Sequence, residues 1–174
     1  AWTPRQRKQQ LHHFLGQHPH QAGLIYVRTR RAAEDLAAWL QTQGFATAAY
    51  HAGLGPSDRR RLEQRWLQGH LPFVVCTNAF GMGLNHPSVR WIVHFQAPTL
   101  LAEYVQEVGR AGRDGKGAIA LMLVSEPTGW LDPEDKQRHQ FFAQQTQQHF
   151  RLAQALMGKL PAEGSVSAIA QQFD

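Results

Sequence analysis

Short apolar runs alternate along this chain with stretches of helical spacing, and that alternation restricts the folds open to it. Gly23-Leu24-Ile25-Tyr26-Val27, Phe73-Val74-Val75-Cys76-Thr77 and Trp91-Ile92-Val93-His94-Phe95 are rich in β-branched and aromatic side chains and are bounded by glycine or polar residues. Runs of this kind read as strands buried on both faces. Thr47 to His51 and Ala118 to Val124 read as two more strands. Between them lie an amphipathic segment through Leu36, Trp39 and Leu40 that closes at Gly44, another after Ser57, and a third opened by Pro98-Thr99. Strands alternating with helices over short connections predict an α/β fold, a parallel sheet with helices on both faces.

At 174 residues and 43% hydrophobic, the chain can bury a real core and suits one domain with appendages. Its formal charge is +5, and 14 of its 18 basic residues are arginine. Such an excess favours an anionic partner and leans toward phosphate, although mildly basic domains without one are common. Cys76 is the single cysteine, which excludes a disulfide framework and a cysteine-based zinc cluster and fits a reducing compartment. No apolar run is long enough to span a membrane, and the start carries no signal-peptide pattern. Ala1 in place of an initiator methionine suggests a fragment of a longer protein.

The ends differ in character from the middle. In residues 1–20, Thr3-Pro4 reads as a helix start, with Leu11, Phe14 and Leu15 on one face. His12, His13, His18 and His20 have no cysteine or carboxylate nearby to complete a metal site, so a polar helix face is expected. After Ser125 the chain predicts a helical C-terminal extension. Asp132-Pro133 opens it, Phe142, Phe150 and Met157 are candidate buried positions, and Gln144, Gln145, Gln147 and Gln148 form a wet face. Gly158 and Pro161 stop this region, and Ser165 to Phe173 reads as the first helix of something further. The expected divisions are a lead-in over 1–20, the α/β domain over 21–125, a helical connector over 126–160, and a further start over 161–174.

Chemistry concentrates in QEVGRAGRDG, Gln106 to Gly115. If the helix from about Thr99 runs through it, Gln106, Arg110 and Arg113 stand at i, i+4 and i+7 on one face. Gly109 and Gly112 leave room for a backbone or phosphate to approach, and guanidinium groups fork onto phosphate oxygens. Taken alone, the motif also suits a helix that ends in a glycine-rich turn with its arginines in water. Arg28-Thr29-Arg30-Arg31 follows the first strand, where Thr29 could serve a phosphate site or act only as an N-cap. Ser57 is a reasonable N-cap for the next helix, along which Arg59, Arg60, Arg61 and Arg65 are placed; three consecutive arginines cannot share one face. Asn78 to Asn85 forms a loop at the carboxyl end of the third strand, the edge where open parallel sheets bind ligands. No G-x-x-x-x-G-K-[ST] occurs, and no Asp-Glu pair ends an apolar strand. The chain thus has arginines suited to phosphate but neither a phosphate cradle nor a Mg²⁺ site.

YHAGL (50–54), Gln64 to Gly69, TNAFGMGLNHP (77–87), VRWIVHF (89–95) and QEVGRAGRDG (106–115) occur in this order. Together they resemble the second RecA-like motor domain of the RecQ family of superfamily-two DNA helicases, over roughly residues 20–125. The resemblance implies a RecA-like sheet and an ATP-dependent 3′-to-5′ DNA helicase active only with a first RecA-like domain. That first domain would supply the phosphate loop and the carboxylates for Mg²⁺. The resemblance makes Arg113 the arginine finger on the γ-phosphate, with Arg110 beside it and Gln106 touching the phosphate region or orienting the finger. Gly83, Asn85 and Gly109 would line the nucleotide cleft, although many relatives carry Asp where this chain has Asn85. Tyr26, Arg28, Thr29, His51, Thr77 and Asn78 would border the single-stranded DNA track. The implied cofactors are ATP and Mg²⁺. The implied partners are single-stranded DNA, DNA junctions or forks, and the first motor domain, in DNA repair or recombination. The expected location is intracellular, at the nucleoid in a bacterium, with no membrane. RecQ relatives usually carry a cysteine-rich zinc subdomain after the motor; residues 126–160 hold no cysteine, so a helical connector without zinc is expected there. The last residues, 161–174, resemble the entry to a winged-helix domain. Two other functions stay open: a nucleic-acid-binding adaptor that does not hydrolyse ATP, and the second domain of an RNA helicase.

Overall fold

The computed structural model describes residues 3–80, 86, 88–98, 100–123, 144, 147, 148 and 151. Five strands, β1 (Ala22–Tyr26), β2 (Ala49–Tyr50), β3 (Phe73–Cys76), β4 (Val89–His94) and β5 (Ile119–Met122), form one sheet in the order β2-β3-β1-β4-β5. Every pairing is parallel, with Leu24 opposite Val74 and Ile92, and Trp91 opposite Ile119. Four helices accompany it: α1 (Pro4–Gln17), α2 (Arg30–Thr42), α3 (Pro56–Leu67) and α4 (Leu101–Val108).

The alternation of strand side chains builds two cores. Ile25, Val27, Val75, Trp91 and Val93 point to one face, where Leu11 and Leu15 of α1 and Leu36, Ala37 and Leu40 of α2 cover them. Leu24, Tyr26, Val74, Cys76 and Ile92 point to the other, under Trp66 of α3 and the Phe80 ring. Gly23 faces Trp91 across the β1–β4 pair, and a Cβ there would lie 2.2 Å from the indole. This is the predicted RecA-like, two-sided arrangement, with α1 as part of its packing. Thr3 caps α1 through a reciprocal box with Gln6.

Two expectations for the segment ahead of β3 change. The second strand shortens from Thr47–His51 to Ala49–Tyr50; at its amino end the Thr47 hydroxyl donates to the Phe73 carbonyl (3.1 Å). Helix α3 begins with Gly55 as its cap and Pro56 at its first position, and Ser57 lies inside the first turn. The fixed φ of proline suits that first position, so the helix starts ahead of Ser57.

The chain divides into two units, Ala1–Lys136 and Gln137–Asp174. In the second, Gln144, Gln147, Gln148 and Arg151 are helical and exposed, whereas Gln145 lies outside the described residues. Asp132-Pro133, Phe142, Phe150, Met157 and the Ser165–Phe173 segment lie outside the described residues. No helix among the described residues is long and apolar enough to cross a membrane.

Candidate functional site

Helix α4 stops at Val108, with Gly109 as its C-cap. Gln106 is therefore helical while Arg110 and Arg113 lie in the turn beyond, and the three do not share a helical face. Glycine is the reason. Gly112 and Gly115 take φ of +67° and +77°, and a Cβ on Gly112 would sit 2.9 Å from the Lys116 carbonyl oxygen. The Gly112 N–H donates to the Val89 carbonyl (3.0 Å), which ties the loop to the amino end of β4.

Arg90, on β4, holds the same loop from the side. Its guanidinium pairs with the Asp114 carboxylate and donates to the Gly117 carbonyl (3.2 Å). Hydrogen bonding from Arg90 lowers the Asp114 carboxyl below its ordinary value. Arg113 is exposed, and its Nε donates to the Gly109 carbonyl (3.1 Å). Arg110 is half-buried and influences the Tyr26 phenol and the Cys76 thiol electrostatically. Burial pushes both of those groups well above their ordinary values, so both stay protonated. Gln106 and Gly109 are exposed beside the arginines.

A second, buried polar cluster joins the carboxyl ends of β1 and β4 to α4. Arg28 Nη2 lies 3.3 and 3.2 Å from the two Glu107 carboxylate oxygens, and Arg28 Nη1 lies 3.4 Å from Glu103. His94 Nε2 stands 2.8 Å from Glu107 Oε2. The His94 ring stacks on Tyr26 at 5.6 Å and meets Tyr104, tilted, at 5.3 Å. The Gln96 side chain accepts the Arg28 N–H at 2.8 Å.

The residues expected along a strand separate by exposure. Thr29 and Asn78 are exposed at the carboxyl edge of the sheet. Thr29 is the N-cap of α2, its hydroxyl accepting the Ala32 N–H at 3.1 Å. His51 and Thr77 are buried, His51 with Nε2 at 3.0 Å from Glu34. Tyr26 is fully buried and offers a strand no surface, because β1 is the central strand and the ring lies within the sheet's packing. Arg28 is only 9% exposed at its side chain, held by its two glutamates. Gly83 and Asn85 lie outside the described residues. The consecutive arginines also divide. Arg59 and Arg60 line a cleft of about 270 Å³ with Tyr50, Glu63 and Ala79, whereas Arg61 pairs with Asp58 at 3.0 Å on the surface.

Arg90, His94 and Glu107 were not singled out in the sequence. Their signal is a polar residue inside an apolar strand, for Arg90 and His94, and for Glu107 a place beside Gln106 in the arginine motif. Among the described residues, no group of three His, Cys, Asp or Glu side chains could hold a metal ion.

The family described as helicase conserved C-terminal domain matches residues 6–115. The ATP-dependent DNA helicase RecQ of Synechocystis sp. is 52% identical over 167 residues, covering 96% of this chain and 35% of that protein. The protein of the same name from Haemophilus influenzae is 38% identical over 138 residues, covering 75% of this chain and 22% of that one. The chain thus spans about a third or less of the length of these relatives. Among solved structures, the E. coli DEAD-box protein SrmB aligns with a TM-score of 0.67 at 25% identity, over 71% of this chain and 73% of that one.

Proposed function

The chain belongs to the helicase conserved C-terminal domain family, in its RecQ branch, and we propose that it works as the second motor domain of an ATP-dependent 3′-to-5′ DNA helicase. The observation that carries this proposal is the arginine loop. Arg113 is exposed on a turn whose backbone is held by Gly112, Arg90 and Asp114, and its Nε donates to the Gly109 carbonyl, so the cation emerges from a fixed turn. ATP is the substrate. Its phosphates and Mg²⁺ are held mainly by a first motor domain, since this chain has no phosphate loop. Arg113 meets the γ-phosphate and neutralises charge as it develops, with Arg110 beside it. A finger of this kind is worth ~10³–10⁵ in rate. Gln106, Gly109, Gly83 and Asn85 border the nucleotide.

Single-stranded DNA passes over the carboxyl edge of the sheet, where Thr29 and Asn78 are exposed. Tyr26, Arg28, His51 and Thr77 support that edge from within. Contacts of this type follow the backbone, so binding is independent of sequence and sensitive to salt. Forks and junctions are the expected substrates, inside the cell.

The test is DNA-stimulated ATP hydrolysis by the full-length protein, wild type against Arg113→Ala, with nucleotide binding measured in parallel. A loss of roughly a hundredfold or more with ATP binding retained is the expected result. Equal rates in the two proteins would make Arg113 structural. A wild type that hydrolyses nothing with DNA present would leave an adaptor role, and stronger stimulation by RNA would favour an RNA helicase.

A further inference from the structure

Helix α4 is held to the sheet in an unusual way. Its only buried side chain is the carboxylate of Glu107, while Leu101 and Val105 are 78% and 58% exposed. A helix of a globular domain ordinarily docks by an apolar stripe. An apolar latch would also avoid the cost of desolvating charge. Here one carboxylate at the last turn accepts from Arg28 on one strand end and lies against His94 on another.

We infer that Glu107 is a positioning residue: through Arg28 and His94 it sets the place of the Arg110–Arg113 loop, and it couples that loop to the nucleic-acid edge of the sheet. This inference rests on the motor function proposed above. The geometry supplies both halves of the coupling. Arg28 directly precedes Thr29, the exposed residue that opens α2 at the carboxyl edge. Glu107 directly precedes the turn, since its carbonyl accepts the Arg110 N–H at 3.3 Å. The far end of that turn is tied to the amino end of β4 through Gly112 and Val89. The segment from Glu107 to Gly112 therefore links the two ends of β4. A shift of the Arg28–Thr29 connection when a strand binds moves the guanidinium, and the carboxylate bound to it follows. Displacements well under an ångström are enough to matter for a catalytic cation.

The test uses the full-length protein with Glu107→Gln, Arg113→Ala and the double variant. Glutamine keeps the shape of the side chain and removes its charge. The expected result for Glu107→Gln is a fall in DNA-stimulated kcat of roughly 10–100-fold, with KM for ATP changed by less than about threefold. The double variant should be no slower than Arg113→Ala alone, because residues that act as a unit are not additive. Arg28→Lys keeps the charge but loses the fork, and should give the same split if Glu107→Gln does not fold. An unchanged kcat in a folded Glu107→Gln protein would reduce Glu107 to packing. Losses that multiply in the double variant would show that it acts independently of the arginine. A silent Arg113→Ala would instead overturn the motor function itself, which separates the two failures.

Discussion

His94 Nε2 stands 2.8 Å from Glu107 Oε2, with the imidazole side chain 0% and the carboxylate 4% exposed. The pair joins the end of β4 to the last turn of α4, and Arg28 completes the cluster from the end of β1. Removing one member of a buried ionic cluster leaves the others uncompensated. Glu107→Ala is therefore expected to destabilise the domain by about 3 kcal/mol, the lower end for broken buried pairs, because Arg28 keeps Glu103 at 3.4 Å. Chemical denaturation measures this, and a loss below ~1 kcal/mol would place the cluster among surface pairs.

Gly112 combines a left-handed φ with a close approach to the Lys116 carbonyl. Gly112→Ala should cost about 2 kcal/mol or more, from the αL penalty and the displaced carbonyl together. Gly117 has neither feature, and nothing lies within 4 Å of a Cβ built there. Gly117→Ala should change stability by less than ~0.5 kcal/mol. Equal effects from the two substitutions, measured by the same unfolding experiment, would remove the special role assigned to the turn at Gly112.

The Tyr50 phenol is pushed up to about 12 from an ordinary value of 10.0, first by burial and then by its hydrogen bond to Glu63. The folded state thus binds this proton more tightly than the unfolded chain. Its contribution to stability is complete below pH 10 and is lost as pH rises through about 12. Thermal unfolding followed across that window should show a shallower alkaline decline for Tyr50→Phe than for wild type. Identical slopes would mean that the Tyr50 proton is not linked to folding.

The strands were legible because their signal is local. Leu24 to Tyr26 and Trp91 to His94 are apolar runs too short for helices, and each lies within a parallel strand of the sheet. The arginine motif was legible for the same reason, as a cluster of residue types. Its helical continuation was not. The helix ends at Val108 because the chain adopts the glycine turn that the Gly112–Val89 hydrogen bond ties to β4, a contact between residues distant in sequence. The alternatives left open for Thr29 narrow similarly: it caps α2 and remains exposed.

Periodicity and residue type thus determined the α/β class, the helices on both faces and the cations available for phosphate, since each depends on neighbours along the chain. Only the tertiary structure decided that Tyr26 and Arg28 are enclosed rather than presented, that Arg90 holds the arginine loop, and that the buried side chain of α4 is a carboxylate. The physical reason is that burial and ion pairing depend on which strand ends meet. That follows from the order β2-β3-β1-β4-β5, which places Arg28 of one strand end and His94 of the next on the same glutamate.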